Sequence, residues 1–327
     1  MGSEPQLRDL PFKFKLGEFT LFVIRRPVLV ENSTLRDVAT GHFDPNRPPD
    51  YCPDHAVGIL RRSYRTDGPL PVLTRIAGWT RYVPHQFPRH YISFQGSFEQ
   101  YLQNFSPKTR STLRRKVRRM LDAFDGAVEC RIYREPSEMK EFYEAARAIS
   151  SKTYQEKLLD AGLPSTDDFR HDMESLAKEG LVCGFLLWAA GQPVSYIYCP
   201  AQNGTLVYTN LGYDPRFRQY SPGTVLQWLV LEKLFSEGRY EIFDFSEGAG
   251  EHKRLFATGC YHCADIYWMK ATLANAAVVR GQAFVNRVSW LVVKGLDKLG
   301  LKARVKRFFR FRLGGQAHSK NELSSEG

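Results

Sequence analysis

No window of the chain approaches the roughly 20 unbroken apolar residues that a membrane-spanning helix needs, so a bilayer-spanning protein is not expected. The first residues, MGSEPQLRDLPFKFKLGEF, carry acids and prolines where a signal peptide has an apolar core of about 7–15 residues, and export is not expected either. Cysteine is sparse. Cys52, Cys130, Cys183, Cys199, Cys260 and Cys263 lack the dense spacing of a secreted disulfide framework, which fits a reducing cytoplasm. The chain also has no internal repeat, no low-complexity segment and no recognised nucleic-acid-binding motif. What it does have is 327 residues, 43% of them hydrophobic and 13% aromatic, enough for about two domains with cores that need neither disulfide nor metal.

The net charge of +11 is concentrated. Lys108 to Arg119 holds seven basic residues and no acid, and Arg280 to Arg312 holds ten against Asp297 alone. The remainder is mildly acidic, so the protein is not coated for nucleic acid, and DNA is not an expected partner.

Phe19–Val30, Ala56–Leu60 and Pro71–Ile76 read as strands of a mixed N-terminal region, with Pro84, Pro88 and Gly96 marking its exit. Ser106-Pro107 opens a helix whose apolar residues Leu113, Val117, Met120, Leu121 and Phe124 recur at helical spacing, the basic run lying on the other face. An α/β alternation follows. It has a strand at Val128–Tyr133, helices over Ser137–Lys152 and Thr166–Glu179, a hairpin around Ala190-Gly191, a strand over Gly204–Gly212, a helix over Thr224–Ser236 and an aromatic strand at Tyr240–Phe245.

The stretch Gly212–Leu226, GYDPRFRQYSPGTVL, lies between a strand and a helix. Ser221 and Gly223 let the backbone approach a ligand closely, and the first helical amides point unpaired into the loop, which makes a phosphate cradle; an ordinary turn and helix start is the competing reading. Asp244 sits between Phe243 and Phe245, as a solvated strand carboxylate or as a general base in a cleft. Lys253 can pair with Asp244, bind a phosphate or lie on the surface. Tyr208, Tyr213 and Tyr220 offer hydroxyls that can protonate a leaving thiolate. Cys260-Tyr-His-Cys263 invites a metal, but strand alternation sends the two thiols to opposite faces, so none is expected.

Together, Tyr213-Asp214-Pro215, Tyr220-Ser221-Pro222-Gly223, Leu226, Glu232, Gly238, Phe243-Asp244-Phe245, Gly248, Lys253 and the basic helix Ser111–Met120 resemble the GNAT acyltransferase superfamily over about residues 90–270. The likeness is to its CelD-like polysaccharide-biosynthesis branch, related to FemAB-like aminoacyltransferases. It implies an α/β fold with a mixed sheet, a degenerate GNAT-like half at 1–105, a catalytic GNAT domain at 106–270 and a basic amphipathic tail at 271–327. It further implies that Arg218, Gln219, Ser221, Gly223 and Thr224 bind the pyrophosphate of acetyl-CoA or another acyl-CoA, and that Asp244, Lys253 and Tyr220 are catalytic. Two departures stand out: Ser221 occupies the place of the family's middle glycine, and His252 precedes Lys253 where the family has tyrosine. The acceptor implied is a small-molecule or lipid-linked amine or hydroxyl of a sugar or cell-envelope precursor. Aminoacyl-tRNA is the rival donor, and a scaffold with a decayed GNAT core the rival to catalysis.

In the tail, Val288, Leu291, Val292, Leu296 and Leu299, then Leu301, Val305, Phe308 and Phe309, repeat at helical spacing among basic residues. Such a helix lies in anionic headgroups on the inner face of a membrane, with residues 280–313 as the contact, or else docks on the protein's own core.

Overall fold

The structure, a computed structural model, describes residues 5–17, 19–40, 44–153, 162–248 and 250–298. The N-terminal part supplies β1 (Gln6–Leu16), β2 (Phe19–Asn32), β3 (Gly58–Arg65), β4 (Leu73–Ile76) and β5 (Trp79–Ser93). The later part supplies β6 (Val128–Tyr133), β7 (Val182–Ala189), β8 (Gln192–Gln202), β9 (Thr205–Val207), β10 (Asn210–Tyr213), β11 (Ile242–Glu247) and β12 (Gly259–Lys270). All twelve join one mixed sheet ordered β1-β2-β3-β12-β5-β11-β9-β8-β7-β6, with β4 on β5 and β10 on β8. The fold is α/β, as expected. β12 lies within the stretch 106–270 yet pairs along its length with β3 and β5, so ladder hydrogen bonds run through both halves.

β5 differs most from the expectation. The stretch with Pro84 and Pro88 is no exit but a 15-residue strand at the centre of the sheet. Proline cannot donate to a ladder and survives in sheets at bulges and strand margins. Pro84 falls where the β5–β12 register shifts, between the rungs Asp265↔His85 and Tyr267↔Tyr82, and Pro88 lies just past the last β11 rung, Glu247↔Arg89.

The helices are α1 (Leu35–Thr40), α2 (Phe98–Leu102), α3 (Pro107–Ala123), α4 (Met139–Ser150), α5 (Asp167–Lys178), α6 (Pro222–Glu237), α7 (Glu251–Phe256) and α8 (Leu273–Lys298). Ser106 caps α3 by accepting from the Thr109 amide, and Leu113 and Met120 are buried; Leu121, expected inward, is exposed. α6 buries apolar residues on every side of its first half, among them Val225, Leu226, Trp228, Val230 and Leu231, while Glu232, Lys233, Ser236 and Glu237 of its second half are exposed. A helical stretch apolar all round must be covered all round. It packs against β7 and β8 and is enclosed by α2 and α3, which fixes its N-terminus against the sheet.

α8 settles how the described part of the tail behaves. Its first half docks on the core: Val278 and Val279 are buried with Leu10, Phe12 and Phe14, and Tyr82 donates to the Gln282 side chain at 3.0 Å. Its second half leaves Phe284, Trp290, Leu291 and Val292 exposed. Of the two expectations for the tail, docking on the core therefore describes the helix as far as Val285, and truncation at residue 280 would strip Gln282, Ala283 and Val285 from it. Residues 299–327, with the rest of the basic run, lie outside the described residues. No helix among the described residues is long and apolar enough to cross a membrane.

Candidate active site

β9 and β11 run parallel, pairing Thr205, Leu206 and Val207 with Ile242, Phe243 and Asp244. There they part. The Tyr208 amide donates to the Asp244 carbonyl at 2.8 Å and the Ser246 hydroxyl to the Tyr208 carbonyl at 3.2 Å; the next strand, β10, pairs with β8. The parting coincides with an irregularity in β11, where Asp244↔Tyr91 is followed by Glu247↔Arg89, so Phe245 and Ser246 on β11 stand opposite His90 alone on β5. This is a β-bulge, which bends a strand away from its neighbour. Ser246, in the bulge, has φ of 56°, and its amide donates to the Asp244 carboxylate at 2.8 Å.

A cavity of about 350 Å³ lies where the strands part. Tyr208, Leu211 and Tyr213 line it from the β9–β10 side, His252 and Phe256 from α7, and Arg218, Ser221, Pro222, Gly223, Thr224 and Gln227 from the turn and first turns of α6. Four of the five predicted cofactor contacts therefore converge. Gln219 is not among the lining residues.

The turn is built by Asp214, whose side chain is 1% exposed. It caps the 3₁₀ turn Pro215–Tyr220 by accepting from the Arg216 amide at 3.1 Å, and it pairs with the Arg216 guanidinium and Lys152. The Arg216 hydrogen bonds, with Lys152 adding to them, hold its carboxyl far below the usual carboxylate range. Ser221 takes φ 54° and ψ 50°. Serine thus adopts the left-handed backbone that the family's glycine reaches freely, at a cost of about 1–2 kcal/mol. Pro222 has no N–H, so the Gly223 amide is the first helical donor at an end where the macrodipole favours anions. A Cβ on Gly223 would meet only the Tyr213 ring, at 3.8 Å. Gln227, 3% exposed, has no partner for either side-chain polar atom among the described residues. A cradle open to close approach and an orphaned amide both fit a polar, phosphate-bearing ligand.

On the α7 side, the Tyr208 hydroxyl and His252 Nε2 are 3.5 Å apart, at the outer limit of a hydrogen bond. Tyr208 is 3% exposed, and burial pushes its phenol well above the usual range, so it stays protonated. His252 reaches solvent, but partial burial and the neighbouring Lys253 charge lower its pKa, which keeps the imidazole neutral at pH 7. A neutral imidazole beside a protonated phenol can accept one proton and donate another.

The three predicted catalytic residues do not line this cavity. Asp244 has no exposed surface, and its carboxylate is gripped by Arg89 Nη2 at 2.5 Å and Nε at 3.1 Å. The carboxylate is fully buried, its oxygens are taken up by the Arg89 guanidinium and the Ser246 amide, and it does not face the cavity, so the general-base assignment is corrected: Asp244 holds the bulge. Arg89, 6% exposed, was missed; its signal was weak, one arginine in a strand that read as an exit. Lys253 Nζ donates to the Phe245 and Glu247 carbonyls, each at 2.6 Å, bracing the end of β11. Tyr220 turns the other way, edge-on to Phe124, into an open groove of about 480 Å³ shared with Arg115, Arg118 and Arg119 of α3. Tyr208 was legible only as one of three tyrosines, and Gln227 not at all. Cys260 is exposed and Cys263 buried, while His85, Glu247 and Asp265 bring potential ligand atoms within 4.8 Å of one another away from the cavity lining.

Residues 107–254 match the family described as an acetyltransferase (GNAT) domain. The chain carries a GNAT-type transferase domain. Its match spans α3 to α7 and so contains every residue lining the cavity except Phe256. No curated protein matches the sequence significantly. Among solved structures, the chain is similar to the C-terminal DUF2156 domain of a protein ascribed to lysylphosphatidylglycerol synthesis, from Agrobacterium fabrum (11% identity, 80% of this chain and 85% of that one, TM-score 0.49). It is also similar to L-PGS from Bacillus licheniformis (11%, 80% and 85%, TM-score 0.45) and to FemX (10%, 81% and 88%, TM-score 0.46).

Proposed function

We propose that the GNAT domain transfers an acyl group from an acyl-CoA, acetyl-CoA included, to the amine or hydroxyl of a sugar, lipid-linked or cell-envelope acceptor. One observation carries this reading: a single cavity is lined both by an anion-seeking helix start with Arg218 and by the Tyr208–His252 couple. Arg218 and the Gly223 amide hold the donor phosphates. The acceptor attacks the thioester carbon as the C–S bond breaks; His252 Nε2 takes the acceptor proton and the Tyr208 hydroxyl supplies one to the leaving sulfur. The acceptor class rests on the sequence resemblance.

Isothermal titration of the full chain with acetyl-CoA tests the donor. Binding is expected, and a folded preparation that takes up no acyl-CoA would sink the assignment. Gly223→Val should weaken that binding by about tenfold or more, roughly 1.4 kcal/mol, with an unchanged melting temperature, because the added side chain has room in the fold but projects where the donor backbone contact forms.

The arginine groove favours a second reading, aminoacyl-tRNA as donor. Arg115, Arg118 and Arg119 add positive charge just beyond Tyr220, next to the cradle, and suit a donor with more phosphates than the pyrophosphate. Arg115→Glu/Arg118→Glu/Arg119→Glu should flatten the salt dependence of donor binding. A panel of charged tRNAs and acyl-CoAs decides which donor turns over.

A further inference from the structure

β2 begins FTLFVI, and residues Phe19 to Val23 are exposed on both faces of the strand. A strand that is apolar on both faces is ordinarily covered on both. This one projects past the sheet with Leu21 56% and Phe22 51% exposed. Beside it, α8 leaves Phe284 68% and Trp290 58% exposed. The two elements are tied together: the Gly17 amide at the hairpin turn donates to the Ser289 hydroxyl at 2.7 Å, and Gln282 donates to the Lys13 carbonyl at 3.0 Å. Leu21 and Phe22, on opposite faces of the hairpin, and Trp290 and Leu291, beside its turn, thus gather exposed apolar side chains at one end of the fold, of a kind that a soluble protein seldom leaves bare.

Its surroundings are basic. Between Leu10 and Val30 stand Lys13, Lys15, Arg25 and Arg26 against Glu18, with Arg25 3.9 Å from the Asp9 carboxylate, and between Leu273 and Gly295 stand Arg280, Arg287 and Lys294 with no acid. The Lys294 ammonium lies 4.4 Å from the Trp290 ring centre. The occupant must therefore be apolar within and anionic at its rim. The chain's own residues 299–313 are strongly basic and would meet a surface of their own sign.

We propose that the end of the β1–β2 hairpin and the outer half of α8 form one docking surface for an anionic bilayer interface. Aromatic and aliphatic side chains enter the headgroup region while lysine and arginine meet lipid phosphates. The membrane contact is then split between two segments more than 250 residues apart in sequence, and it stands whichever donor the cavity takes.

Co-sedimentation of the full chain with phosphatidylglycerol–phosphatidylcholine vesicles and with pure phosphatidylcholine vesicles tests it. Binding to the anionic vesicles that weakens with salt is expected, as is a loss of about tenfold or more in each of Leu21→Asp/Phe22→Asp and Trp290→Asp/Leu291→Asp. Lys13→Glu/Lys15→Glu, which leaves every apolar residue in place, should also weaken it. Unchanged melting curves show that the variants fold; should an aspartate pair fail to fold, the lysine pair decides. Three results would overturn the proposal: no vesicle binding by the wild type, hairpin variants that bind as tightly as wild type, or a wild-type dimer that these substitutions convert to monomer, which would make the surface a contact between copies.

Discussion

Asp244→Asn is expected to lower the melting temperature by on the order of 10 °C. Removing one partner of a buried ion pair leaves the other charge uncompensated, which costs about 3–5 kcal/mol, and a chain of this size loses about 2–4 °C per kcal/mol. Here the stranded group is the Arg89 guanidinium, 6% exposed and bonded otherwise to the Ser33 carbonyl. Burial pulls its pKa down, but the Asp244 carboxylate more than reverses this and holds it above the ordinary value. The same substitution also weakens the hold on the Ser246 amide, and with it the bulge at which the strands part. Arg89→Met should destabilise by a similar amount, and Arg89→Met/Asp244→Leu should recover much of the loss, since an apolar pair can replace a buried ion pair at little cost. Thermal melts of the three variants check this. If Asp244→Asn melts like wild type while turnover falls, the carboxylate is a proton acceptor after all and the structural role is wrong.

The second large effect belongs to His252. His252→Gln keeps a polar group of similar reach but cannot take up a proton, so kcat should fall by about 10²–10⁴-fold, the usual contribution of a general base, with donor affinity nearly kept. Tyr208→Phe should also lower kcat, and less so for acceptors whose donor has a better leaving group. The pH dependence has a definite sign. Because burial and the Lys253 charge lower the His252 pKa, the imidazole remains neutral to below its ordinary value of about 6.5. The rate should be sustained down to that pH and then fall as protonation removes the base. The acidic limb should vanish from the small residual rate of His252→Gln. A limb that survives the substitution would assign the proton transfer to another group.

These two residues also show what the sequence could and could not reveal. Local signals were legible wherever backbone chemistry alone decides: Ser106-Pro107 opening α3, Thr166 capping α5, Ala190-Gly191 turning β7 into β8, and Gly238 ending α6 in left-handed geometry. The turn proposed to hold the donor phosphates was legible as a turn for the same reason, since a strand, a tight turn and a helix start stand in consecutive residues. His252 was marked by its departure from the family's pattern, and Ser221 likewise; the structure shows that serine there accepts the left-handed backbone.

The roles of Asp244 and the partner of α8 belonged to tertiary structure. A carboxylate between two phenylalanines reads the same whether its neighbour is a substrate amine or an arginine, and that arginine lies 155 residues away on a strand disguised by two prolines. The apolar repeat in α8 reads the same whether it meets a lipid surface or the protein's own sheet; Val278, Val279, Ala283 and Val285 meet the sheet, while Phe284, Trp290, Leu291 and Val292 are exposed. Short-range rules act through the backbone of adjacent residues, so sequence order contains them. The pairing of charges and the covering of apolar faces depend on which distant strands the sheet brings together, and only the folded arrangement decides that.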